Sequence, residues 1–248
     1  MAKDRIIAGM LALAALAALA ASSAAKAQSE ESLMPEGSKD VWIGATLGSA
    51  PSRAGSALRS TYLVPQFSVE WSNGVFVEGL ELGVKMSRDP LLQYGPVVAL
   101  NLGARRADGS NAGVRPVFGG FVNYQPVGEL LLHAHAVAPA GRDGKGALLG
   151  FRAATHTWLV PHHMLGLAVG MNLVDGAGLQ ADFGNARYRP SGGVRDVYTQ
   201  LRWHWQVSRK YTLSAAVEAT RLVGDAGASP RTSQRIGIGN SLTLQYSY

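Results

Sequence analysis

The segment that most constrains the fold is the last one, Ile236–Tyr248, which reads I-G-I-G-N-S-L-T-L-Q-Y-S-Y. Side chains alternate across an extended strand. One face therefore carries Ile236, Ile238, Asn240, Leu242, Leu244, Tyr246 and Tyr248, and the other only Gly237, Gly239, Ser241, Thr243, Gln245 and Ser247. Such a strand is too apolar on one side for water and too long for an average soluble sheet. Its length and two-residue period suit a strand that crosses a membrane, with apolar residues toward lipid, small polar ones toward a lumen and aromatics at the boundary.

The N-terminal end agrees. Lys3 and Arg5 precede the apolar run Ile6 to Ala21, and Ala25-Lys26-Ala27 offers a small-residue cleavage site. Residues 1–27 read as a signal peptide removed before Gln28, 28–39 as a short exported segment, and 40–248 as an outer-membrane β-barrel. No later stretch supplies the roughly 18 unbroken apolar residues of a spanning helix. The chain has 30 glycines, 11 prolines and no cysteine, so turns and strands dominate and no disulfide staples them. The net charge of +6 is dispersed without a basic stripe, which argues against a nucleic-acid partner. The aromatic C-terminus matches the ending that outer-membrane barrels present to their assembly machinery, with Leu242, Leu244, Tyr246 and Tyr248 as the signal. The expected location is the Gram-negative outer membrane, in contact with its lipid and lipopolysaccharide.

The rest of the chain divides into alternating segments broken by turn signals. Val41–Gly48, Tyr62–Trp71, Tyr94–Gly103, Val117–Tyr124, Leu130–Ala138, Leu149–His156, Leu165–Leu173, Val197–Val207 and Tyr211–Thr220 all read as strands. Pro65 is an objection within its strand, since proline removes a ladder donor. Val75–Met86 is blurred, with Phe76, Leu80, Leu82, Val84 and Met86 on a face shared with Glu78. Long and short connections alternate consistently only if an odd number of passes lies between Gly74 and Arg105. Three passes give an all-β antiparallel barrel of twelve strands; ten result if 75–87 does not cross twice. Asp175–Gly193 and Gly224–Arg235 read as long irregular connections.

The polar faces supply the candidate site residues: Lys85, His133, His135, Arg152, His156, Arg202, His204 and Glu218 project toward the lumen. His133 and His135 have the spacing of two metal ligands, but a metal site takes three or four and no carboxylate or thiol with matching spacing stands beside them. No G-x-S-x-G marks a hydrolase. Gly141–Gly146 lacks the Ser/Thr and the helix of a phosphate loop. No catalytic group, metal or cofactor is expected. Trp203 and Trp205 lie on an apolar face, which favours a membrane girdle over a carbohydrate platform.

Several short motifs, in order along the mature chain, resemble those of the MipA/OmpV family of outer-membrane proteins. They are Pro51, Gly55 and Ser56 in the first loop; Gln93-Tyr94-Gly95-Pro96; Phe183-Gly184 with Ser191-Gly192; and Gly224-Asp225-Ala226 followed by Ser229-Pro230. Arg53 stands where the family usually has Tyr, and Asp182 and Asn185 flank Phe183-Gly184 in place of Tyr and Val, which marks a divergent member. The resemblance implies an outer-membrane barrel that acts as a scaffold, joining a lytic transglycosylase to a murein synthase. Docking would fall on the periplasmic turns 125–128, 157–163 and 207–210. The alternative is a narrow channel for small solutes, in which Lys85, Arg152, Arg202 and His204 favour anions.

Overall fold

The computed structural model describes Pro35 and residues 37–101, 115–140 and 146–248. The expected signal peptide, residues 1–27, most of segment 28–39, Leu102 and Gly103, the loop 107–111 and residues 141–145 lie outside the described residues.

Twelve strands follow in order: β1 (Lys39–Pro51), β2 (Arg59–Trp71), β3 (Val75–Glu78), β4 (Glu81–Val84), β5 (Leu92–Asn101), β6 (Arg115–Val127), β7 (Leu130–Pro139), β8 (Leu148–Val160), β9 (His163–Val174), β10 (Gly193–Gln206), β11 (Tyr211–Leu222) and β12 (Ile236–Ser247). Each pairs antiparallel with its sequence neighbours, and β12 closes onto β1 in register from Trp42↔Ser247 to Ser49↔Asn240. The sheet is thus a closed barrel, and the twelve-strand count holds over the ten-strand one. Its outer wall carries the large apolar residues: Leu47, Leu63, Phe67, Phe118, Phe151, Leu201, Val217, Leu242 and Leu244 are all exposed. An apolar band of that extent is stable only where hydrocarbon, not water, is the solvent.

The blurred stretch resolves into the shortest strands. Glu78 pairs with Glu81 around Gly79–Leu80, with Gly79 at φ +56°. Both partners of that pair face inward, so the alternation changes phase across the turn. Phe76 and Glu78 point into the barrel from β3, whereas Leu82 and Val84 point out from β4. The single shared face expected for Phe76 to Met86 is therefore wrong, because a two-residue period does not survive a two-residue turn.

Pro65 proves harmless for a positional reason. Gly79 N–H donates to Phe67 O, so the odd residues of β2 present their backbone groups toward β3. Register pairing between these strands covers only Ser68 to Glu70. The donor that Pro65 lacks would have pointed at an edge with no described partner strand.

Two short helices interrupt the connections expected to be irregular: α1 (Gly176–Phe183) and α2 (Gly224–Ala228). Asp175 caps α1 by accepting from Gly178 N–H at 2.8 Å. One turn apart on α1, Leu179 and Phe183 are each 1% exposed, and with Val174, Leu222 and Ala226 they form the protein's main buried apolar cluster. This cap sits on the end of the barrel that carries the long connections. The connections 72–74, 128–129, 161–162 and 207–210 are short and lie at the opposite end, together with both ends of the barrel sheet.

Candidate functional site

The barrel interior is furnished by side chains from the odd positions of β6 and β7 and the even positions of β8, β10 and β11. His133 on β7 stands opposite Asn123 on β6 and Arg152 on β8. Its Nδ1 lies 2.6 Å from Asn123 Oδ1, and its Nε2 lies 3.1 Å from Nδ1 of His135. The His135 ring occupies space left by Gly150, where an added Cβ would come within 2.2 Å of it. Arg152 donates through Nη2 to Gln200 Oε1 at 3.3 Å, while its buried Nε has no partner among the described residues. Gln200 in turn donates to Glu218 at 3.1 Å, and Thr220 donates to the other Glu218 oxygen at 3.2 Å. His204 Nδ1 lies 2.7 Å from Ser214 Oγ.

Arg202 lies within electrostatic reach of Arg152 and Glu218, and also of Glu78 on β3, five strands away around the wall. His156 is within similar reach of His204. Lys85 is apart from this group and forms an ion pair with Glu70 at 2.5 Å. Near it the interior is apolar: the Phe76 ring covers Gly83 and meets Phe121 edge-on at 5.7 Å, with Val97 and Phe121 both buried. Sequence alternation finds which residues face inward. It does not find Asn123, Gln200, Ser214 or Glu70 as their partners, because the pairing depends on which strands lie side by side and in what register. Among the described residues no group of three or more His, Cys, Asp or Glu is placed to hold a metal ion.

At the long-loop end, motif residues far apart in sequence converge. Ser229 Oγ donates to Phe183 O at 2.6 Å, and Thr232 Oγ1 donates to Ala226 O at 2.7 Å. Ser191 donates to Asp225 Oδ2 through both N–H and Oγ, at 2.7 and 2.8 Å, and Tyr188 OH donates to Asp225 O at 2.7 Å. The Ser191 donors hold the Asp225 carboxyl below the ordinary carboxylate range. Burial, with the nearby Asp225 charge, pushes the Tyr188 hydroxyl up. The first loop joins the same cap, since Gly55 O accepts from the N–H groups of Ser233 and Gln234. Beneath the cap lies a cavity of about 400 Å³ lined by Arg53, Arg195, Arg235, Asp196, Tyr198 and Glu218. Asp196 is buried there and is satisfied by Asn172 Nδ2 at 2.7 Å and Arg195 Nε at 2.5 Å.

The short-turn end carries an aromatic belt on its outer face. His163 stacks on both Trp203 and Trp205, with 5.6 Å between ring centres in each case. Tyr211 and Tyr248 both flank Tyr246 at 5.1 Å, and Lys210 Nζ donates to the Tyr246 hydroxyl at 3.1 Å. That bond holds the Lys210 ammonium above its ordinary range. Rings with one apolar and one polar edge gather where hydrocarbon meets headgroups.

A closed twelve-strand antiparallel barrel with a lipid-compatible wall, an aromatic belt and long connections at one end is an outer-membrane β-barrel. Residues 43–248 match the family described as MltA-interacting protein MipA, and the chain belongs to that family. No curated protein matches the chain. Among solved structures, a bacterial polysaccharide outer-membrane secretin is similar over 85% of this chain and 98% of its own, with 9% identity and a TM-score of 0.50. An outer-membrane channel from Pseudomonas putida F1 covers 87% and 97%, with 14% identity and a TM-score of 0.47. The NanC porin covers 82% and 98%, with 9% identity and a TM-score of 0.49. At such identities the likeness concerns the fold alone.

Proposed function

We propose that the barrel is an outer-membrane scaffold that docks peptidoglycan enzymes, a lytic transglycosylase and a murein synthase, at its periplasmic rim. The observation that carries this reading is the β8–β9 hairpin. Short turns of outer-membrane barrels face the periplasm. There Trp158, Leu159 and Val160 are 62%, 55% and 56% exposed, and register pairing of β8 with β7 has already ended at Thr155. Trp158 keeps the inward phase of its strand, opposite Met164, so it projects toward the periplasmic mouth and away from lipid. An exposed tryptophan on a projecting hairpin suits a protein contact. The hydrogen bonds that tie His133 to His135, Arg152 to Gln200 and Gln200 to Glu218 inside the lumen support a role at the rim over one in conduction.

The test is a pull-down from detergent-solubilised envelopes on the folded, immobilised barrel. Enrichment of a lytic transglycosylase or a murein synthase over an unrelated barrel, lost on Trp158→Ala, is the expected result; no enrichment sinks the reading.

A second reading, a narrow channel for small anionic solutes, is favoured by the cavity beneath the cap and by the unpartnered Nε of Arg152. Its test is single-channel conductance, which Arg202→Ala would lower.

A further inference from the structure

We infer that the outer-leaflet end of the β11–β12–β1–β2 wall holds a phosphate site for lipid A, built on Arg59 and Arg221. This assignment is independent of the scaffold reading.

The lipid-facing positions of these strands are apolar over most of their length and then change character. Toward the long-loop end, β1 presents Ser49, β2 Arg59 and Thr61, β11 Arg221 and β12 Asn240. No Asp or Glu occupies an outward position on any of the four strands, since Asp40, Glu70 and Glu218 all have the inward phase. Two guanidinium groups therefore face lipid without a carboxylate to neutralise them.

Their height in the membrane fits a headgroup. Arg221 pairs with Ile236, and the aromatic belt at the other boundary includes Tyr246 on the same strand. Ten residues at roughly 3.3 Å each, tilted as barrel strands are, rise about 25 Å, the height of the apolar band. Arg221 thus lies at the outer boundary, where a cation costs little and meets the outer-leaflet phosphates.

Register also brings the two positions close together. Arg59 lies flat across β1, donating from Nη1 to Ile238 O at 2.7 Å and from Nε and Nη2 to Ser49 at 3.1–3.2 Å. This guanidinium is fixed beside Ile238, two residues along β12 from Ile236, the partner of Arg221. That separation is about 7 Å along the strand, so the long, exposed Arg221 side chain can share one phosphate with it. The Arg221 side chain makes no hydrogen bond or ion pair among the described residues. Of the five guanidinium N–H groups of Arg59, four bonds leave at least one for a ligand. Asn240, Ser49 and Thr61 add neutral hydrogen-bonding groups suited to a phosphorylated sugar.

The experiment is native mass spectrometry of the detergent-solubilised, delipidated barrel titrated with bis-phosphorylated lipid A, dephosphorylated lipid A or phosphatidylglycerol. Lipid A is expected to bind, with affinity about tenfold lower in Arg221→Ala, the loss of one charge-assisted hydrogen bond. Lys39→Ala, at the periplasmic end, is expected to bind as wild type. Because Arg59 also supports the wall, its variant is made with Pro51→Ala, and folding of every variant is checked by heat-modified gel mobility. Undiminished lipid A binding by folded Arg221→Ala and Pro51→Ala/Arg59→Ala overturns the site. Equal binding of dephosphorylated lipid A overturns the phosphate contact, and equal binding of phosphatidylglycerol overturns the assignment to lipid A.

Discussion

Arg59 supplies to Ile238 the hydrogen bond that Pro51 cannot. The Tyr248 N–H bond to Val41 O sets the alternation of the closing seam, and by that register Pro51 stands opposite Ile238 with its backbone directed at it. Proline has no N–H. Arg59, paired with Pro51 on the other side, reaches across it and donates Nη1 to Ile238 O at 2.7 Å. Arg59→Ala is expected to loosen the outer end of the β1–β12 seam by about 1 kcal/mol, the net worth of a hydrogen bond. Pro51→Ala restores a backbone donor and should recover most of that loss in the double variant. The check is the temperature at which the folded gel band converts to the unfolded one.

Gly95, inside the Gln93–Pro96 motif, lies against the end of β4. A Cβ on it would lie 1.7 Å from Val84 O, a backbone atom that cannot rotate aside. Gly95→Ala is expected to force the strands apart at about 1–3 kcal/mol, the usual cost of overpacking. Gly128→Ala, in a turn where an added Cβ meets nothing within 4 Å, should fold as wild type. The refolded fraction in detergent, measured side by side, tests both.

The cap should respond to pH through Asp225. Its carboxyl is held below the ordinary carboxylate range by Ser191, so its contribution is complete above that range and is lost as pH falls through the lowered value. Hydrogen exchange of residues 184–192 should stay slow at neutral pH and quicken, relative to intrinsic rates, only in strong acid. Asp225→Asn should quicken it at neutral pH and remove most of the acid step.

Ser229→Ala should leave the buried carbonyl of Phe183 without its 2.6 Å donor. An unsatisfied buried acceptor costs about 1–3 kcal/mol. The loss is expected to be local, since barrel pairing does not pass through the cap. Protease cleavage between α1 and β10 should therefore rise while the heat-conversion temperature of the barrel stays near wild type.

Much of this molecule is legible without coordinates. The residues from Ile236 to Tyr248 carry a two-residue period and one apolar face, features that suit a strand whose one side meets hydrocarbon. The alternation of long and short connections narrows the strand number to twelve or ten, and the closed sheet decides for twelve. The inward phase of Arg152, Arg202, His204 and Glu218 follows from the same period. The chain alone does not reveal α1 and α2: both are short and glycine-containing, and only Asp175 as cap and the Leu179–Phe183 spacing hint at the first. Nor does it reveal that Phe76 and Leu82 face opposite sides, because a tight turn resets the count. Register and closure decide the rest. They set Arg59 against Ile238, Ser229 against Phe183 and Gln200 against Glu218, since hydrogen bonds act over about 3 Å of space and chain order does not specify which distant residues come that near.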